Sequence, residues 1–126
     1  MTIAIDLSQL ITAEAKAAEA AAAQRAAIKA RRDVAIASGI TVGGVTVATD
    51  DQSQSRIMGA AVAAMLDPAY TVQWKTAGGF ITLSAPQVIG LATAIRAHVQ
   101  ACFDREAALL EAMDAGDAYD VEHGWP

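Results

Sequence analysis

Residues 13 to 37, AEAKAAEAAAAQRAAIKARRDVAIA, constrain this chain more than any other stretch. About half of them are alanine, and most of the rest are Glu, Lys, Gln or Arg, so helix propensity is close to its maximum over seven turns. A long helix is the only regular structure such a run supports. Asp6 or Ser8 is placed to cap its start, with Gln9 in capping-box register to Asp6, and Ser38-Gly39 supplies a stop. Glu14 and Glu19 lie early and Lys29, Arg31 and Arg32 late, which suits the helix dipole.

The same run lacks a wide apolar face. Leu7, Leu10 and Ile11 stand at its start and Ile28, Val34 and Ile36 near its end, with methyl groups between. Positions 7, 14, 21, 28 and 35 hold Leu, Glu, Ala, Ile and Ala, an imperfect heptad seam. Close packing against another alanine-rich helix recovers dispersion contacts that a small globule does not offer. The reading favours packing against other subunits through Leu7, Leu10, Ile11, Ala21, Ile28 and Arg32. A solvated single helix, or one folded back on its own domain, is the alternative.

Beyond Gly39 the pattern changes. ITVGGVTV sets two β-branched runs about a glycine pair and predicts a hairpin. Asp50 or Asp51 then caps a helix ending at Pro68, with Ile57, Ala61, Met65 and Leu66 on one face. Alternation through Tyr70, Val72 and Trp74, then AGG and Phe80 to Leu83, predicts a second hairpin. Ser84-Ala-Pro-Gln87 reads as a capping box opening a last helix, whose stripe runs through Val88, Leu91, Ile95, Val99, Cys102, Leu109, Leu110 and Met113. The expected core is Trp74, Phe80, Leu91, Ile95 and Val99.

The expected fold class is α+β, divided as an N-terminal docking helix (1–38), a compact domain of two hairpins and two helices (39–115) and an irregular acidic arm (116–126). In that arm Tyr119 and Trp125 are placed to anchor on a neighbour.

Formal net charge is −5, which disfavours nucleic acid and anionic lipid as partners. The sequence has no signal-peptide pattern and no apolar run of spanning length. One cysteine excludes an internal disulfide and fits a reducing compartment. His98 and Cys102, four residues apart, share a helix face, but two ligands do not complete a zinc site, and a thiol on the apolar stripe is placed to be inert. Asp104, Arg105, Glu106 and Glu111 read as a solvated helix surface. Glycine pairs 43/44 and 78/79 fit hairpin turns better than phosphate loops. No catalytic, metal-binding or cofactor-binding residue is expected.

The segments GITVGGV at 39–45, DDQSQSR at 50–56, WKTAGGFITL at 74–83 and AHVQACF at 97–103 resemble an uncharacterised domain family of tailed-phage and prophage tail proteins. The resemblance covers about residues 30 to 112. It implies a virion tail setting, with host cytoplasm during assembly, and other tail proteins or further copies of the chain as partners. It implies no activity. A structural tail component is the expected role, and an assembly chaperone that leaves before the virion matures is the alternative.

Overall fold

The structure is a computed structural model that describes residues 7–126. Its fold is mixed α+β: three helices and two antiparallel hairpins in the order α1 (Leu7–Ile36), β1 (Ile40–Val42), β2 (Val45–Val47), α2 (Asp51–Leu66), β3 (Thr71–Thr76), β4 (Gly79–Ser84) and α3 (Ala85–Asp114). The alanine run lies within α1. Asp6, proposed as a cap, falls outside the described residues.

Local chemistry accounts for each boundary. Gly43 and Gly44 both take positive φ, 56° and 81°, and so close the β1–β2 hairpin through a turn that side chains resist. Asp50 caps α2 by accepting from the Ser53 backbone N–H and hydroxyl. The Ser53 hydroxyl bond holds the Asp50 carboxyl below its ordinary range. Ser84 and Gln87 form the reciprocal capping box at the start of α3.

The principal core joins Val47, Ile57, Ala60, Ala61, Ala64, Leu83, Val88, Leu91 and Ile95. It lies between α2, the two hairpins and the first half of α3. Two expectations need correction here. The inward face of α2 is Ile57, Ala60, Ala61 and Ala64, whereas Met65 and Leu66 are exposed together with Met58 and Val62. Small side chains let the α2 backbone lie close to α3, and the larger ones turn outward. Phe80 is 67% exposed. Its register partner is Lys75, while Trp74 pairs with Ile81, so Phe80 and Trp74 occupy opposite faces of the hairpin.

The second half of α3 outruns that core and packs antiparallel against α1. Three contacts fix the alignment: Arg25 with Asp114, Arg32 with Glu106 and Ala35 with His98. Ile28 lies on the same stripe and is fully buried, as are Cys102 and, within 1%, Leu109. The C-terminal half of α1 therefore packs as part of the globule.

The end of α1 is held through its last carbonyls, which a helix leaves without internal partners. Thr49, fully buried, donates its hydroxyl to the Ile36 carbonyl at 2.5 Å and accepts from the Gly39 N–H at 2.9 Å. The Ala35 carbonyl accepts from His98 Nε2 at 2.9 Å and from the Ser38 hydroxyl at 2.7 Å.

Ile28→Ala is expected to lower unfolding free energy by about 2–5 kcal/mol, as for other large-to-small changes in a core. Phe80→Ala should stay within about 0.5 kcal/mol, the usual range for surface positions. Urea denaturation of the two variants checks the contrast, and a neutral Ile28→Ala would contradict the packing of α1.

Candidate docking surfaces

The α1–α3 seam explains what each candidate residue does. On α1 the positions 7, 11, 14, 18, 21, 25, 28, 32 and 35 alternate in steps of four and three, which keeps them on one stripe. From Arg25 onward α3 meets that stripe. Ala21 is half-buried, and every residue from Leu7 to Ala20 is exposed. At 1.5 Å per residue, these 14 residues project about 20 Å. Leu7 and Ile11 continue the stripe at 64% exposure each, and Leu10 flanks it at 52%.

Of the six α1 residues expected at an interface, then, Leu7, Leu10 and Ile11 are open to a partner. Ile28 and Arg32 are occupied within the chain, and Ala21 stands where the intramolecular cover ends. Ile28 is corrected because α3 gives it the apolar surface that alanines alone do not supply.

Arg32 is a hub rather than a free cation. Its Nη1 donates to both Glu106 oxygens at 2.9 and 3.0 Å, Nε and Nη2 donate to Asp33, and the guanidinium lies 4.8 Å from the Phe103 ring centroid. Arg32 and Glu106 side chains are each only 15% exposed. Burial alone would pull the Arg32 pKa down; the hydrogen bonds to Asp33 and Glu106 outweigh it and leave the group above its ordinary value. Glu106, read from sequence as solvated trim, is the inward partner of this pair.

The C-terminal arm is irregular, as expected, but it folds onto its own helices. Arg31 donates to Glu122 at 2.8 Å and lies 5.6 Å from the Trp125 ring centroid, while the indole N–H donates to the Val121 carbonyl at 2.7 Å. Arg105 donates to the His123 carbonyl at 3.0 Å. Gly124 takes φ +83° beside that guanidinium, where a Cβ would come within 2.7 Å of Arg105 Cζ. Trp125, expected at a docking surface, lies within the chain against the Arg31 guanidinium on α1 and remains part-exposed.

His98 and Cys102 do come together, with Cys102 Sγ 3.9 Å from His98 Nε2. A carbonyl oxygen only accepts, so the bond to Ala35 requires Nε2 to carry the proton. The nitrogen facing the thiol is thus a donor already engaged and is not placed to deprotonate it. Burial pushes the Cys102 thiol up, against a smaller opposing effect of the Arg31 charge. Among the described residues no group of three or more His, Cys, Asp or Glu side chains is arranged to hold a metal ion. No helix among them is long and apolar enough to cross a membrane.

A family described as a domain of unknown function, DUF4376, matches residues 19–123. The chain belongs to that family. The matched region opens within two residues of Ala21, where α1 first gains intramolecular cover, and it takes in the clasped arm as far as His123. The projecting residues 7–18 precede it. Comparison with curated proteins gives no match, and comparison with solved structures gives none.

Native protein should leave Cys102 largely unmodified by iodoacetamide at pH 8 and take up one label per chain in denaturant, because the thiol is both buried and held protonated. Rapid labelling of the folded protein, read by mass spectrometry, would contradict the placement.

Proposed function

We propose that the protein is a non-enzymatic docking component whose projecting α1 half joins it to further copies of itself or to a neighbouring protein. One observation carries this reading. The stripe that α3 covers at Ile28, Arg32 and Ala35 continues through Ile11 and Leu7 past the end of α3, where the described residues provide no cover. Most helical stability in proteins comes from packing of a face rather than from propensity, and the side chains of this stretch are exposed. A second helix laid along the stripe would bury Leu7, Leu10 and Ile11 and let the alanines at 17, 18 and 20–23 pack closely.

A phage tail is the setting that the four sequence segments suggest, and the partners would then be other tail proteins or copies of this chain. In the structure the segments at 39–45 and 74–83 build hairpins, that at 50–56 caps and opens α2, and that at 97–103 holds the α1–α3 seam.

Light scattering after size-exclusion chromatography should give a mass of two or more chains for the full protein at about 100 μM. Replacing Leu7, Leu10 and Ile11 with Gln should return the monomer with an unchanged thermal transition of the globule. A monomeric full-length protein would contradict docking between copies and leave a different protein as the partner. Mass spectrometry of purified virions tests the setting: presence supports a tail component, and absence from mature particles with presence in infected cells supports an assembly chaperone.

A further inference from the structure

A cleft of about 430 Å³ lies between the first half of α2 and the β3–β4 hairpin. Four successive β3 residues, Val72, Gln73, Trp74 and Lys75, line it, whereas β4 contributes only Phe80. Successive strand side chains point to opposite faces, so residues of both parities border one cavity only where it runs along the strand's edge. Among the described residues β3 pairs with β4 alone. Its other edge therefore presents unpaired N–H and C=O groups toward the cleft.

The charge on this cleft is one-sided. Arg56 from α2 and Lys75 from β3 both line it, and no Asp or Glu does. Neither cation belongs to the ion pairs of the described residues, which involve Arg25, Arg31 and Arg32. In a chain of net charge −5, two uncommitted cations beside a carboxylate-free groove select for a negative group. Phe80, the exposed register partner of Lys75, adds an apolar rim next to them.

We infer that the cleft receives an extended acidic peptide segment of a partner protein, added as a strand along the free edge of β3. Its carboxylates reach Arg56 and Lys75, and an apolar side chain on the other face of the added strand rests against Trp74. A free backbone edge gives a peptide its main-chain hydrogen bonds and gives a nucleic acid nothing comparable. The inference does not involve α1 and stands apart from the docking reading above.

The test titrates ¹⁵N-labelled full-length protein with two acetylated hexapeptides, one alternating glutamate with valine and one alternating lysine with valine. The acidic peptide should shift the amides of Val72 to Lys75 to saturation, and the basic one should not. In an Arg56→Gln/Lys75→Gln variant whose other resonances are unchanged, affinity should fall by about tenfold or more, equivalent to about 1.4 kcal/mol or more. Should that pair disturb the fold, Lys75→Gln alone, at an exposed position, should still weaken binding measurably. Absence of saturable β3 shifts, equal binding of both peptides, undiminished affinity in the folded variants, or tighter binding of a single-stranded oligonucleotide at the same amides would each overturn the inference.

Discussion

The thirty residues of α3 make it longer than the small core it closes, and the arrangement of the rest follows from that mismatch. Its first half supplies Val88, Leu91 and Ile95 to the core shared with α2 and the hairpins. Its second half would present Cys102 and Leu109 to water unless another element covered them. The C-terminal half of α1 does so, and Ile28 is the apolar residue it contributes. Arg32 and Glu106 then settle the register, because displacing α1 along α3 would break their two-bond pairing and leave the largely buried Glu106 carboxylate without its cation.

The covering helix is as long as the one it covers, but the two are offset. Arg25 already meets Asp114 at the end of α3, so about half of α1 lies beyond it. The arm returns along this junction and ties Arg31 and Arg105 to residues 122–125. Exposed ion pairs of this kind contribute little singly; the stacked Trp125, the indole bond and the close approach at Gly124 give the arm a defined place. The arm thereby closes the end of the globule around α1, and the exposed residues from Leu7 to Ala20 extend beyond it.

Much of the fold is legible in local sequence chemistry. The alanine run, the two glycine-centred hairpins, the Asp50 cap and the Ser84 capping box act within a few residues, and each appears in the structure. What depends on tertiary choice is less legible. Alanine is equally compatible with either face of a helix, so the inward face of α2 was not fixed by Met65 and Leu66. The parity of β4 rests on the two-residue turn at Ala77 and Gly78, and a shift of one residue there exchanges the roles of Phe80 and Ile81. For α1, positions 7, 14, 21, 28 and 35 are legible as an imperfect seam, but not the intervening positions of the stripe, nor that α3 takes one half of it. Glu106 carried a usable signal: it stands four residues beyond Cys102 on the stripe that buries Leu109, the position for a charge that must find a partner inside the seam.

The central claim is that one stripe of α1 is satisfied within the chain over its C-terminal half and awaits another molecule over its N-terminal half. Hydrogen exchange of α1 amides at two protein concentrations tests this most directly. Strong protection of residues 22–36 at both concentrations, with protection of residues 8–20 that rises as concentration increases or partner is added, is the predicted result. Equal and concentration-independent protection along the whole helix, or rapid exchange at residues 22–36, would contradict it.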